Sequence, residues 1–200
     1  MHISEGVLSG AALITGWAVS AAGVAVGLKK TEPEKLVRVA LLSSAFFLAS
    51  LVNIRIGAAS THLTLIAPAG IILGWSIFPG VFVALLLQAL LFQFGGLIVL
   101  GVNVCDMALP GLVVYLIFGN MIRNSGSKIF TSTISFIAGA LAVLMGALML
   151  SIFLYTTDEN FLSTAKIIML AHIPLALIEG LINMFLILWL KKTAPEFLKK

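Results

Sequence analysis

The chain has 200 residues, of which 60% are apolar and 10% are charged, and its formal net charge is +4. A soluble domain carries roughly 25% charged residues, so this composition predicts an all-α integral membrane protein. At about 20 residues per transmembrane helix, the length leaves no room for a second, soluble domain. The sequence contains no G-x-x-x-x-G-K-[ST] phosphate loop. Its one cysteine, Cys105, excludes an internal disulfide and a Cys-based zinc site.

Apolar runs between charge clusters predict about seven transmembrane helices in a single domain covering residues 1–200. The predicted spans are about 7–28, 36–54, 63–78, 80–101, 104–122, 129–154 and 163–190. No Lys or Arg precedes the first run, so we expect a membrane helix there rather than a secretory signal. A turn is predicted at Phe78-Pro79-Gly80. Phe94-Gly95-Gly96 could break the fourth helix, which leaves open whether the following stretch spans the membrane or is re-entrant.

The distribution of lysine and arginine predicts the orientation of this bundle. With seven spans, residues 29–38, residues 123–128 and the C-terminus fall on one side, which holds ten of the twelve basic residues. Only Arg55 and Lys166 fall on the other side. Because basic loops favour the cytoplasm, we expect the C-terminus in the cytoplasm and Met1 outside.

The chain opens with a potential metal chelate, Met1-His2. The α-amine and the amide nitrogen between Met1 and His2 would close a five-membered ring with a metal, and the same amide and His2 Nδ1 would close a six-membered ring. Three nitrogen donors then lie in one plane and a fourth position stays empty, an arrangement that suits Ni(II), Cu(II) and low-spin Co(II). The alternative is that His2 is only the second residue of a disordered tail.

Two further histidines are candidates for the fourth position. His62 begins the third predicted span on the same side as the N-terminus, although a histidine at a membrane boundary is also a common hydrogen-bonding group. His172 lies in the seventh span, two helical turns before Glu179 and separated from it by Pro174. Ionisable groups at membrane depth are functional candidates. The alternative for His172 and Glu179 is a hydrogen-bonding role that holds the helices together.

Four stretches resemble the CbiM/NikM family, the substrate-binding membrane components of energy-coupling-factor cobalt and nickel importers. They are Met1–Leu8 (MHISEGVL), Ser60–Leu63 (STHL), Gln88–Asn103 (QALLFQFGGLIVLGVN) and Pro174–Gly180 (PLALIEG). The resemblance therefore extends from one end of the chain to the other. It implies a seven-helix bundle in which the N-terminal segment, residues 1–6, inserts toward the bundle.

The resemblance also implies a ligand set of four nitrogens. These are the Met1 amine, the main-chain nitrogen and imidazole of His2, and the imidazole of His62. In the family, the stretch after the second histidine often contains Asn or Gly, whereas this chain has Ile66-Ala67-Pro68. A polar group lost there would alter metal preference and affinity more than the ligand set.

Three polar residues are candidates for supporting the ligands. The His2 Nε2–H group would need a hydrogen-bond acceptor, and Glu5, Asn103 and Asp106 could provide one. A divalent metal bound to one deprotonated amide leaves a net charge of about +1 in apolar surroundings. Glu5 is the carboxylate nearest in sequence that could offset this charge.

The function predicted is capture of Ni²⁺ or Co²⁺, as transported substrate rather than cofactor, by the membrane subunit of an ATP-driven importer. Its implied setting is the prokaryotic cell (inner) membrane. The implied partners are a transmembrane coupling subunit, cytoplasmic ATPase subunits and a small accessory membrane subunit, with no nucleic acid. A cation–proton secondary transporter using His172 and Glu179 stays open as the alternative. An intramembrane enzyme is disfavoured, because no Ser/His, paired-Asp or H-E-x-x-H arrangement occurs.

Overall fold

The computed structural model describes residues 2–51, 53–56 and 59–198, and over these residues the chain is mostly helical. Its α-helices are α1 (Gly10–Lys30), α2 (Leu36–Ser50), α3 (Ile66–Leu73), α4 (Ile77–Phe92), α5 (Leu100–Asn124), α6 (Lys128–Thr157) and α7 (Leu162–Thr193). An antiparallel sheet, not predicted from the sequence, contains β1 (His2–Ile3), β2 (Asn53–Ile56) and β3 (Ala59–His62) in the order β1-β3-β2.

Five helical segments of the described chain are long and apolar enough to cross a membrane. This count does not confirm the seven predicted spans, for two reasons. α2 has 15 residues, about 22 Å at 1.5 Å per residue, which is shorter than a hydrocarbon core of about 30 Å. α3 and α4 lie within one apolar segment, Ile66–Phe92, which corresponds to the separate predictions 63–78 and 80–101.

The chain nevertheless reverses direction between α3 and α4. The residues before α3 lie beside the N-terminal strand, because β3 pairs with β1. The residues after α4 also lie there, because the Glu5 N–H donates to the Gly95 carbonyl over 3.1 Å. A 3-10 turn at Gly74–Ser76 lies at the other end of α1, where Thr31 Oγ1 donates to Ser76 Oγ over 2.8 Å. α3 therefore runs toward this turn and α4 runs back from it, so the two helices point in opposite directions.

The position of this reversal corrects the turn predicted at Phe78-Pro79-Gly80. These residues lie in the first turn of α4, where a proline is tolerated because its missing N–H has no partner within the helix. The break occurs instead at Gly74, whose φ of 58° combined with a ψ of −125° is readily adopted only by glycine. Proline and glycine together favour a turn, but here both lie within the first turn of a helix that begins at Ile77.

The fourth predicted span, 80–101, extends too far. α4 ends at Phe92, and residues 93–99 form a loop before α5. Three residues of this loop have positive φ: Gln93 at 56°, Gly95 at 76° and Gly96 at 132°. The break considered at Phe94-Gly95-Gly96 is therefore present. The 25-residue α5 that follows is long enough to span rather than re-enter.

α5 is the central helix of the bundle and packs against α1, α3, α4 and α6. Small residues allow close approach between helices, as is common in membrane proteins. A side chain added at Gly70 of α3 would collide with the Gly111 backbone of α5. A side chain at Gly139 of α6 would come within 2.7 Å of the Glu179 carbonyl of α7. α3 is therefore deeply buried in the bundle. It follows directly after β3, the strand that carries His62.

Candidate metal site

The N-terminal segment is held against the hairpin by main-chain pairing. In the register of β1 and β3, His2 lies opposite Ser60 and Ile3 lies opposite Ala59. His62 follows Ser60 by two positions on the same strand. The structure therefore brings the backbones of two predicted ligand residues, His2 and His62, onto neighbouring strands.

Asn103 of α5 completes the hydrogen bonding of β1 on its other side. Its Oδ1 accepts from the Ile3 N–H over 2.9 Å, and its Nδ2 donates to the Ile3 carbonyl over 3.2 Å. Ile3 is fully buried, so both main-chain groups need partners inside the protein. The Asn103 carboxamide thus acts as a substitute for a neighbouring strand, a role not predicted from the sequence.

Glu5 attaches the end of the N-terminal segment to the 93–99 loop. Its Oε1 accepts a hydrogen bond from the Ile98 N–H over 2.8 Å. Gly96 lies against the Glu5 side chain so closely that an added Cβ would collide with it. The two loop glycines therefore have a structural role, because they let the loop close around the segment that precedes α1.

His62 is buried, with 4% of its surface exposed, and its ring is fixed on two sides. Nδ1 lies 2.7 Å from the Leu63 carbonyl oxygen. Since a carbonyl only accepts, Nδ1 carries the proton and Nε2 carries the lone pair. The Phe46 ring contacts the imidazole edge-on, with centroids 6.0 Å apart. Burial lowers the pKa of this imidazole well below its ordinary value, which favours the neutral form.

Glu179 of α7 holds the chain immediately after His62. Its carboxylate accepts hydrogen bonds from the Thr64 and Leu65 N–H groups, the latter at 3.1 and 3.2 Å from its two oxygens. Leu65 has a left-handed φ of 49° and is the N-cap of α3. A carboxylate at a helix N-terminus satisfies main-chain N–H groups and interacts favourably with the helix dipole. Glu179 thus fixes the junction between β3 and α3.

His172 and Asp106 are also buried, but their surroundings differ. His172 Nδ1 donates to the Ile168 carbonyl of its own helix over 2.7 Å. Its Nε2 has no hydrogen-bond partner in the described part of the chain, and neither has either Asp106 carboxylate oxygen. His172 and Glu179 each bond to main-chain groups, and the structure records no hydrogen bond between their side chains.

The residues that the structure describes therefore include only part of the candidate metal site. Met1 and the side chain of His2 lie outside them. Among the side chains that are described, no three His, Cys, Asp or Glu residues converge on one point. Sequence reasoning missed Phe46, which lies in an apolar helix with no polar signal. It also missed the glycine pair at 95 and 96 as a support for Glu5.

Comparisons with known proteins agree with this architecture. The family model described as "CbiM: Cobalt uptake substrate-specific transmembrane region" matches residues 2–197. The chain belongs to this family.

The CbiM-family chain is similar to proteins of bacteria and archaea. It is 35% identical over 201 residues to the "Putative metal transport protein" of Haemophilus influenzae, covering 100% of this chain and 98% of that protein. It is 30% identical over 216 residues to the "Putative fused cobalt transport protein CbiMQ" of Methanocorpusculum labreanum, covering 98% and 36%. Its fold matches a solved structure, "Crystal Structure of an Truncated Transition metal Transporter", with a TM-score of 0.76, 24% identity and coverage of 96% and 99%.

This CbiM-family chain is therefore a multi-pass prokaryotic membrane protein and a transmembrane component of cobalt or nickel uptake. In such a component the metal is the transported substrate rather than a resident cofactor.

Proposed function

We propose that this chain captures Ni²⁺ or Co²⁺ in a planar site of four nitrogens, as the substrate-binding subunit of an ATP-driven importer. The donors are the Met1 amine, the His2 main-chain nitrogen, His2 Nδ1 and His62 Nε2. The observation that carries this proposal is the register of β1 and β3, in which His2 lies opposite Ser60, two positions from His62. Diagonal neighbours in an antiparallel pair are separated by about 7–8 Å between backbones, which long side chains can bridge.

The chelate supplies three donors without any help from the bundle. The five- and six-membered rings that it forms place the amine, amide and imidazole nitrogens in one plane around the metal. Binding requires loss of the amide proton, which the metal itself promotes. A planar nitrogen set disfavours tetrahedral Zn²⁺ and oxygen-preferring Mg²⁺. The site that His62 completes therefore prefers metals that accept planar coordination.

His62 is suited to the fourth position because its ring is already oriented. The bond from Nδ1–H to the Leu63 carbonyl leaves Nε2 as the nitrogen that can ligate. The buried imidazole is neutral, so no proton has to leave it when a metal binds. Glu179 holds the segment that follows His62, because its carboxylate accepts hydrogen bonds from the Thr64 and Leu65 N–H groups.

This support bears on the Ile66-Ala67-Pro68 stretch. Ile66, Ala67 and Pro68 form the buried first turn of α3 and offer no polar side chain. The N–H groups at the start of this turn bond to the Glu179 carboxylate instead. We therefore infer that the His62 ligand is kept in place without a polar residue at positions 66–68. Glu5 and Asn103 contribute by holding the N-terminal strand.

ATP-driven transport requires partners, since the sequence has no phosphate loop. We propose that the end of the bundle with Lys30, Arg123 and Lys191 faces the cytoplasm, with Met1 outside. On this orientation, α3 and α4 run in opposite directions from the turn at Gly74–Ser76, and the described part of the bundle has seven helices of which α2 and α3 are shorter than the hydrocarbon core. A coupling subunit, ATPase subunits and a small accessory membrane subunit would then dock from the basic side. The fused relative named CbiMQ supports close association with a second transport component.

The proposal is tested by the optical and magnetic properties of nickel bound to full-length protein with an untagged N-terminus. Four strong planar nitrogen donors produce a diamagnetic, yellow Ni²⁺ centre, whereas six-coordinate nickel is pale and paramagnetic. We expect the diamagnetic form at one equivalent of nickel. A paramagnetic nickel centre, or unchanged binding after acetylation of the α-amine, would contradict the planar N-terminal site.

A further inference from the structure

A cleft at the basic end of the bundle combines positive charge with aromatic rings. It has a volume of about 660 Å³ and lies between the C-terminal ends of α1 and α5 and the 3-10 turn Gly74–Ser76. Its charged lining residues are Lys29, Lys30, Glu32, Lys35 and Arg123. The cleft is at the opposite end of α1 from residues 2–6 and shares no residue with the proposed metal site.

The positive charge of the cleft is only partly neutralised by the protein. Glu32 forms an ion pair with Lys35, with Oε2 and Nζ 2.9 Å apart. In the described part of the chain no carboxylate forms an ion pair with Lys29, Lys30 or Arg123. These three side chains converge on one cleft without an internal counter-ion, so the cleft favours an anionic occupant.

Two of these cations are positioned by aromatic rings. Lys30 Nζ lies 4.6 Å from the centre of the Trp75 ring, and the Arg123 guanidinium lies 5.2 Å from the centre of the Tyr115 ring. Such cation–π contacts orient the charges. Arg123 Nη2 also donates to Asn120 Oδ1 over 3.0 Å, and the guanidinium has further N–H groups that can bind an anion. The cations are therefore held at the cleft rather than extended into solvent.

Two glycines make room for the Tyr115–Arg123 pair. A Cβ at Gly74 would lie 3.0 Å from the Tyr115 ring. A Cβ at Gly119, between the two residues on α5, would lie 3.0 Å from Arg123 Nη2. Both distances are shorter than ordinary carbon contacts, so larger residues would displace the ring or the guanidinium.

The cleft also opens onto apolar surface. Leu116 lines it and is 57% exposed, and Leu28, beside Lys29 on α1, is 60% exposed. An occupant that combines a negative headgroup with apolar chains matches this arrangement, because its charge fits the cleft while its chains cover the leucines. A soluble anion or an acidic peptide would match the charge of the cleft but not its apolar edge.

We propose that this cleft binds the phosphate headgroup of an anionic phospholipid. Arg123 and the two lysines supply charge-assisted hydrogen bonds to the phosphate oxygens, and Trp75 and Tyr115 lie at the level of the headgroups. Basic pockets between transmembrane helices are suited to such headgroups. The proposal is independent of the metal site, so either can fail without the other.

The test is native mass spectrometry of the full chain in detergent with equal amounts of phosphatidylglycerol and phosphatidylcholine carrying the same acyl chains. We expect one phosphatidylglycerol to be retained selectively. The double variant Lys30→Gln/Arg123→Gln should reduce this retention about tenfold, from the loss of two headgroup contacts. The matched control Lys128→Gln/Lys192→Gln removes the same charge from the same end but outside the cleft, and should retain the lipid.

Lysine acetylation of the wild-type protein gives a second measurement that does not depend on the folding of a variant. Phosphatidylglycerol should protect Lys29 and Lys30 but not Lys128 and Lys192. Equal losses in both double variants would overturn the proposal, as would displacement of the lipid by millimolar glycerol phosphate. Protection by a polyglutamate peptide but not by the lipid would also overturn it, and would indicate an acidic protein segment.

Discussion

His62 and His172 are both buried and form similar hydrogen bonds, but only His62 is proposed to bind the metal. Each donates Nδ1–H to a main-chain carbonyl, at Leu63 and Ile168 respectively. His62, however, lies on the strand that pairs with the N-terminal segment, whereas His172 lies in the middle of α7. Position relative to β1, rather than the local bonding of the ring, distinguishes the proposed ligand.

The two histidines therefore respond differently to truncation. His62→Ala leaves the three-donor chelate with solvent in the fourth position, and we expect nickel affinity to fall by about two orders of magnitude or more, as after loss of a ligand. His172→Ala should leave the affinity nearly unchanged. Metal titrations of the two purified variants measure both effects. Equal losses would contradict the assignment of His62 as the fourth ligand.

Asn103 tests whether the placement of the N-terminal strand controls metal binding. Asn103→Ala leaves the buried Ile3 N–H and carbonyl without partners, at a cost of about 1–3 kcal/mol for each group. We expect nickel affinity to fall about tenfold or more, although all four donors remain. Titration calorimetry measures the change.

A matched control for Asn103 is available in α7. Asn183 Nδ2 donates to the Ser135 carbonyl over 2.7 Å, so Asn183→Ala also removes a buried side-chain to main-chain hydrogen bond. It should lower the thermal stability without altering metal affinity. A similar loss of affinity in the two variants would mean that general destabilisation, rather than the position of β1, explains the result.

At the level of elements, the number of residues that precede β1 can be changed by one. Inserting Lys between Met1 and His2 keeps the initiator Met and makes the histidine third, so the amine, two amides and the imidazole fill all four planar positions unaided. We expect nickel binding to persist and nickel uptake to be lost, because His62 no longer ligates. Uptake by cells and binding by purified protein are measured separately.

Inserting Ala at the same place is the internal control. Methionine before alanine is trimmed, so the histidine returns to second place and uptake should largely persist. Mass spectrometry of the purified variants establishes which N-terminus each one carries. Uptake at the wild-type rate in the Lys variant, with Met1 still present, would rule out the N-terminal chelate as the transport site.

The junction of β3 and α3 depends on a second element, α7, through Glu179. Glu179→Gln keeps one acceptor for the Thr64 and Leu65 N–H groups but removes the titratable proton. We expect metal affinity to change less than about tenfold, in line with partial loss of charged hydrogen bonds, and uptake to fall only modestly. Metal binding that is unchanged while uptake is abolished would instead favour the proton-coupled transporter.

The long helices could be predicted from the sequence, whereas their junctions could not. α6 and α7 follow the predicted spans 129–154 and 163–190 within a few residues, because long apolar runs are a strong signal. β2 and β3 form a local hairpin, but each has only four residues, which gives a weak pattern. β1 has two residues and pairs with residues more than 50 positions away, so no local pattern reveals it. The carboxamide of Asn103 and the carboxylate of Glu179 act across similar distances in sequence. The candidate ligands follow from chelate chemistry and the family resemblance, and Glu5 and Asn103 are predicted as supports. The main-chain groups to which these two side chains bond could not be predicted.

For the whole molecule, basic residues are concentrated at one end, where we propose that the partners dock. Lys30, Arg123 and Lys191 lie there, and Lys191 Nζ also donates to the Ile122 and Ser125 carbonyls at the end of α5. If ATPase subunits drive uptake from this side, inactive ATPase partners should abolish nickel accumulation in cells. Collapse of the proton gradient at constant ATP should not. The reverse pattern, measured with radioactive nickel, would favour the secondary transporter.

The anchoring of Ile3 by Asn103 has a consequence for synthesis in the cell. The first residues to leave the ribosome contact residues 59–60 and 95–103 in the finished protein, so β1 has no strand partner until about a third of the chain has been made and no bond to Asn103 until about half has been made. At about 5–20 residues per second, the N-terminus waits on the order of 5–20 s. Any processing of the α-amine can take place during this interval. A nascent chain that stalls before α5 lacks the Asn103 anchor, so the truncated protein would keep the N-terminal donors but not the fixed position of β1.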